Sequence, residues 1–450
     1  MRIIISDVNV VDVIHCKIFE MMTVAIEDGV IVSLTPNSSS ERPDLEKKSD
    51  AEIINARGKY LIPGLIDSHV HIRTGKHPGP SDADPTPIVG RYADELAEQS
   101  ELAGRLATYL YAGVTSIFDA GNDEDLIFSV RGQERAGTLI APRIFCAGSF
   151  VTAPGGHGSH LSSTIAVSDI KSDRRYLERH FSLKPDMIKI TYDEHNWGVR
   201  PLIPILAPQT LGDIIDLAHD HKLRVVVHVS NELRAREALE RGADALAHPV
   251  IQSPATPELN QSLGQSKIPV SSTLSIGDRY VRIADEPSYL QTGFYPDCIP
   301  ENEIVRLMNE EHVIQRANRW ADWMRVMTPI AQENLRLLVE SGGVVSTATD
   351  LSLGPEIHRE FNLMQSAGIS TWDILRSATI QGAIHLGVEN WLGSIEVGKQ
   401  ADLLLLDKNP TLDSANLMSI DTLFKAGVKI DRSQLNLPGR TPLARLGGGN

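Results

Sequence analysis

The sequence predicts an α/β protein: a TIM-type (β/α)8 barrel with a small β-sandwich module formed by both termini. Three observations predict it. The middle of the chain alternates short apolar runs with helical stretches, the mark of a parallel sheet. Eight such runs can be counted, which is the barrel number. Turn-punctuated, β-branched segments stand near both ends of the 450-residue chain. The composite module is expected over residues 1–60 and 388–435, and the barrel over 61–387.

Composition narrows the class. Hydrophobic content of 42% and charged content of 22% are ordinary for a soluble globular protein. A formal net charge of −15 argues against nucleic acid or an anionic membrane as partner and says little about substrate, for which a small molecule is expected. Three scattered cysteines, Cys16, Cys146 and Cys298, read as free thiols in a reducing compartment. The first residues reach Asp7 too soon for a signal-peptide core, and no apolar run is long enough to span a bilayer. A cytoplasmic enzyme is expected, and a closed homo-oligomer is the default assembly.

Taken in order, Ile3-Ile4-Ile5 and Val8-Asn9-Val10-Val11 are β-branched, and Glu27-Asp28-Gly29 reads as a hairpin turn. Residues 37–50 are polar and predict a surface loop. Residues 61–72 form the first barrel strand, followed by an amphipathic helix over 92–111 that stops at Gly113. Strands two to six are expected at 114–119, 143–147, 186–191, 224–228 and 243–248, with a Gly-rich loop at 152–158 after strand three. Strand seven is expected at 268–272 and strand eight at 344–348. Between them, residues 275–302 carry Tyr280, Tyr289, Phe294 and Tyr295 without a clear period, which predicts an irregular lid or binding loop. Further strands are expected at 393–407 and 420–430, and the glycine tail at 447–450 predicts disorder or late packing. Pairing between the two ends is left open by the sequence.

Chemistry in such barrels sits at the C-terminal ends of the strands. Strand one ends in His69 and His71, which share a face because strand side chains alternate. Strand four carries Lys189, strand five ends in His228, strand six in His248, and strand eight is followed by Asp350. Singly, each has a plainer explanation: solvated histidines, a salt-bridged lysine, core histidines, a helix N-cap at Asp350. Together, in order and all at strand ends, they point to a metal site.

Pro63-Gly64-x-x-Asp67-x-His69-x-His71 resembles the signature of the metal-dependent amidohydrolase superfamily. The order His-x-His, Lys, His, His, Asp is similar to its binuclear branch, in which the strand-four lysine carries a carbamate. The resemblance covers nearly the whole chain, including residues 379–387 as the last barrel helix and Gly393-Ser394-Ile395-x-x-Gly398-Lys399-x-Ala401-Asp402-Leu403 as the return into the terminal sheet. Asp186-Met187-Ile188-Lys189-Ile190, with Gly155-Gly156-His157, is most similar to the prolidase-like and imidazolonepropionase-like branch. The segment after strand four, Thr191-Tyr192-Asp193-Glu194-His195-Asn196-Trp197-Gly198, departs from the small, Gly-rich segment of the dipeptidases by being bulkier and more acidic.

The resemblance implies two divalent metal ions. His69, His71 and Asp350 would hold the inner one, His228 and His248 the outer one, and carbamylated Lys189 would bridge them. Nitrogen and oxygen donors suit zinc best, with manganese, iron or cobalt as alternatives. A metal-bridging hydroxide would cleave a C–N bond of an amide, dipeptide, N-acyl amino acid, cyclic amide or urea-like substrate, with Asp350 shuttling the proton. Tyr192 and His157 follow strands four and three and are candidates to orient substrate or steady the oxyanion. For Tyr192 the plain alternative is packing; for His157 it is solvent. The rival readings are a carboxylic or phosphate ester hydrolase on the same site, and a metal-binding barrel without catalysis.

Overall fold

The computed structural model of the protein describes residues 2–37, 51–72, 91–159, 161, 163–195, 202–317 and 319–440. Most of the loop expected at 37–50 and the glycine tail at 447–450 lie outside the described residues.

Arg2–Asp12, Lys17–Glu27, Val30–Pro36, Ala51–Asn55 and Tyr60–Pro63 join Leu403–Leu406, Ile420–Lys425 and Val428–Ile430 in one eight-stranded sheet. The ends do pair: Tyr60–Pro63 runs antiparallel to Leu403–Leu406, with Leu61 opposite Leu405. The expected sandwich is thus built from a single hydrogen-bonded sheet. Its first strand takes Ala51–Asn55 along one half and Tyr60-Leu61 along the other. The register slips between Ile5 and Val8, where Asp7 has φ 60°, and such a bulge lets one strand serve two directions. Alternate residues Ile3, Ile5, Val24, Ile26, Leu403 and Leu405 close on a core of their own.

Gly64 passes this sheet into the barrel. Its amide donates to Asp402 O (2.8 Å), and a Cβ there would lie 2.1 Å from Thr115 Oγ1 on the neighbouring barrel strand. Gly64→Ala is therefore expected to lower stability by about 1–3 kcal/mol, the usual cost of overpacking, read as a fall in the urea midpoint at unchanged slope.

Barrel strands one to three are Leu65–Val70, Val114–Asp119 and Arg143–Cys146, paired in parallel. Strands four to eight are Met187–Thr191, Arg224–His228, Ala245–Ala247, Val270–Ser271 and Val345–Ser346, also parallel. Backbone hydrogen bonds close the ring between these two groups. Asp186 N donates to Cys146 O (2.9 Å), and Ser68 N donates to Thr347 O (2.9 Å). The intervening helices start where short polar side chains accept a first-turn amide, as at Asp123, Asp169, Asn231, Thr256 and Ser370.

One expectation is corrected. Residues 275–302 are mostly helical: Leu274–Asp285 is a regular helix, followed by the shorter turns Pro287–Gln291 and Tyr295–Cys298. The cause is tertiary. The buried Glu360 carboxylate accepts from Leu274 N (2.9 Å) and Ser275 N (2.7 Å), supplying the cap that the local sequence lacks. Gly277 then lets the helix approach Trp320–Glu340, since a Cβ there would stand 2.8 Å from Thr328 Oγ1.

Candidate metal centre

The six candidate ligands converge at the C-terminal ends of the barrel strands. His69 and His71 leave strand one on the same face, as alternation requires, and their Nε2 atoms are 3.4 Å apart. Asp350 Oδ1 lies 3.4 Å from His69 Nε2 and 3.3 Å from His71 Nε2. Lys189 Nζ reaches within 3.4 Å of His69 Nε2. The His248 ring centroid is 5.0 Å from that of His69 and 4.4 Å from that of His228.

The donor spacing is informative. Ligand atoms about 2.0–2.1 Å from a tetrahedral ion stand about 3.3–3.4 Å from one another, longer than a good hydrogen bond. His69, His71 and Asp350 show that spacing, so the residues present fit a divalent ion held by nitrogen and oxygen. The groups His69, His248, Asp350 and His157, Asp193, His228 each bring their donor atoms within 4.8 Å of one another.

Neighbouring groups fix the rings. His71 Nδ1 is 3.0 Å from Gly121 O, and a carbonyl only accepts, so Nδ1 carries a proton and Nε2 is the nitrogen that faces the cluster. His248 Nδ1 is 2.9 Å from Thr273 Oγ1. Asp67, of the strand-one motif, accepts from Thr349 N (3.0 Å) and Thr349 Oγ1 (2.7 Å), locking strand one to the residue before Asp350. Burial pushes the Asp67 carboxyl up to about 8.

Electrostatics keeps the donors ready. Burial holds His69 and His248 well below the usual imidazole range, with Lys189 among the cations adding to it for both. Burial also lowers His228, against the pull of Asp193. Neutral imidazole is the form that binds metal. Burial pushes the Lys189 ammonium down to about 7, with Asp350 opposing, so much of it is the nucleophilic amine near neutral pH. Among the described residues Lys189 forms no ion pair, which removes the salt-bridged explanation. Asp350 is not a helix cap either: the next helix, Glu356–Ser366, begins after Pro355. Burial disfavours its charge, but His71 beside it holds the carboxyl below the usual range.

Backbone strain concentrates here. His248, Thr273 and Asp350 follow strands six, seven and eight with φ of 77°, 42° and 55°, in the left-handed region that L-residues seldom adopt. Such residues are retained where surrounding structure imposes them, and functional sites are where they gather.

The two substrate candidates part company. His157 lies in the cleft with its ring 4.5 Å from that of His228, and its Nδ1 is buried with no hydrogen-bond partner among the described residues. Tyr192 turns outward from the cluster. Its hydroxyl donates to Glu237 Oε2 (2.8 Å) and Arg234 stacks over its ring, so packing is its observed role. Asp193, next to it, is the residue that faces inward. It stands 3.5 Å from His228 Nε2 and accepts from Ser230 Oγ (2.7 Å). Burial opposes its charge, yet His228 and Ser230 hold its carboxyl well below the usual range. Its signal in the sequence was the acidic departure after strand four; what that text does not carry is which of two adjacent side chains faces in. The cluster forms the floor of a cleft of about 660 Å³, walled by Phe150, Ile276, Tyr280, Ile299 and Leu307.

A sequence profile of the Amidohydrolase family matches residues 60–430. The chain belongs to the amidohydrolase family. This member is 23% identical to an enamidase of Eubacterium barkeri over 403 residues, covering 88% of this chain and 83% of that one. It is 20% identical to an imidazolonepropionase of Treponema denticola over 429 residues, covering 90% of each. Among solved structures, a Xaa-Pro dipeptidase with bound methionine superposes with a TM-score of 0.74 at 21% identity, over 96% of this chain and 100% of that one. Phenylurea hydrolase B gives 0.73 at 19% identity, over 98% and 99%. At such identities the structural likeness speaks for the fold alone.

Proposed function

We propose that this amidohydrolase cleaves a C–N bond of a small molecule by metal-assisted hydrolysis, with the barrel over 61–387 as the catalytic unit. The observation that carries the reading is the spacing of His69, His71 and Asp350 on the floor of an apolar-walled cleft, with Lys189, His228 and His248 beside them. The names of the enamidase, imidazolonepropionase and Xaa-Pro dipeptidase relatives support it.

His69, His71 and Asp350 would hold one divalent ion and His228 with His248 a second; zinc suits these donors best. Such ions supply a water acidified toward neutrality and a positive charge for the scissile carbonyl oxygen. The Lys189 amine would add to carbon dioxide and lose a proton, giving an anionic carbamate whose oxygens would join the residues that hold the ions. Asp350 takes the proton of the attacking water and hands it to the departing nitrogen. His157, which burial lowers to about 3, is neutral and can offer an N–H to the developing oxyanion. Cys16, Cys146 and Cys298 are all unpaired, which supports a reducing, cytoplasmic setting. Among the described residues no helix is long and apolar enough to cross a membrane.

Metal analysis joined to a substrate panel tests the reading. Close to two divalent ions per chain are expected, with amide or urea hydrolysis lost to a chelator and restored by zinc or manganese. Turnover of esters or phosphotriesters but no amide would make this an ester hydrolase, and full activity in metal-free protein would end the mechanism.

A further inference from the structure

The corrected helix Leu274–Asp285 brings a charge to the cleft that the hydrolytic cluster does not use. Two arginines and one lysine line the cleft: Arg105, Arg279 and Lys189. Arg105 is held by Glu101 at 2.8 Å, and Lys189 belongs to the floor. Arg279 is half-buried and makes no hydrogen bond or ion pair among the described residues. The acids sharing the wall are committed elsewhere: Glu303 takes both arms of Arg306 at 2.8 Å, and Glu356 pairs with Arg282 at 2.8 Å.

A guanidinium half out of water without an acid loses hydration and gains nothing in return, which is a poor arrangement unless an anion arrives. Its carrier is rigid. Glu360 caps the first turn, and Asp278, one residue before Arg279, is gripped by Arg359 at 2.7 Å and by Arg282. The same helix begins just after Thr273, the partner of His248. Arg279 is six residues on, about 9 Å of helical rise, a distance that the arginine side chain and the backbone of one amino acid span together. Ile276 and Tyr280 flank it on the cleft wall, keeping the local dielectric low and any charge-assisted pair strong.

We propose that Arg279 binds a free carboxylate of the substrate, so that the amides this cleft selects are carboxylates of the N-acyl amino acid or dipeptide type. The assignment rests on the hydrolase reading for its chemistry, and on the unpaired guanidinium for its specificity. The fork of five N–H donors suits two carboxylate oxygens at once and gives an uncharged end group no comparable hold.

The test uses the metal-loaded enzyme as purified and matched probes: the N-acetyl derivatives of leucine, methionine and phenylalanine, each beside its carboxamide. Calorimetric titration reads affinity, and release of the free α-amine reads turnover. Each carboxylate should bind about ten- to a hundredfold more tightly than its carboxamide, the range for a hydrogen-bonded charge. Arg279→Met should erase that preference by weakening the carboxylate to the level of the carboxamide, with the loss in KM and not in kcat. If the Met variant does not fold, Arg279→Gln reads the same quantity by the same criterion. Equal binding of both members of every pair, no binding by any carboxylate, or a preference retained in the folded variant would each overturn the assignment. Arg279-dependent preference without turnover of any probe would uphold it and sink the C–N hydrolase reading. Turnover without preference would do the reverse.

Discussion

Asp350→Asn is expected to keep its metal and lose at least about a hundredfold in turnover, the low end of what a general acid–base group contributes. The substitution separates two jobs. Asn keeps an oxygen that can face the ion at the position of Oδ1, 3.3 Å from His71 Nε2, but it accepts no proton at neutral pH. The backbone should not confuse the result. Residue 350 has φ 55°, and Asn tolerates the left-handed region as well as Asp does. Since His71 keeps the Asp350 carboxyl ionised below its usual range, the base is present at neutral pH and is lost only as pH falls. The acid limb of the pH–rate profile should therefore shift or vanish in the variant. Wild-type turnover at full metal occupancy would show that Asp350 is not the proton shuttle.

Lys189→Ala should remove most of the bound metal and bring turnover to background, with partial recovery when formate or acetate replaces the missing oxygens. Electron density showing a bare amine at Lys189 beside a fully loaded metal pair would refute the carbamate and leave a site without that bridge. The metal-free protein gives a separate reading. The Lys189 pKa falls from 10.5 in the open chain to about 7 when buried, so between those values the unfolded chain binds a proton that the folded one does not. Stability of wild type should thus rise as pH climbs through that window, and the Ala variant should lack that part of the slope.

The barrel strands were legible because each is a short apolar run at a regular interval, and His69, His71, Lys189, His228, His248 and Asp350 were legible because they stand at or near strand ends. The helix Leu274–Asp285 was not. Its cap is Glu360, some eighty residues away, and no local pattern reports a cap supplied from another element. Tyr192 and Asp193 show a finer limit. Both leave strand four, but which one faces the histidines depends on whether Glu237 and Arg234 are there to receive the phenol. Arg279 carried no signal at all, because an arginine in a segment without visible periodicity says nothing about which acids its neighbours have taken.

The ladder between Tyr60–Pro63 and Leu403–Leu406 bears on how the chain reaches this state. Strand one, which leads to His69 and His71, begins two residues after Pro63, and one of the two strands flanking Tyr60–Pro63 is synthesised about 340 residues later. Contacts of that separation carry a heavy loop-closure cost and come late in folding. During synthesis Tyr60–Pro63 would wait as an open edge, inviting wrong pairing until the chain is nearly complete. A chain ended shortly after Asp350 would contain every proposed ligand and still be expected to hold no ion.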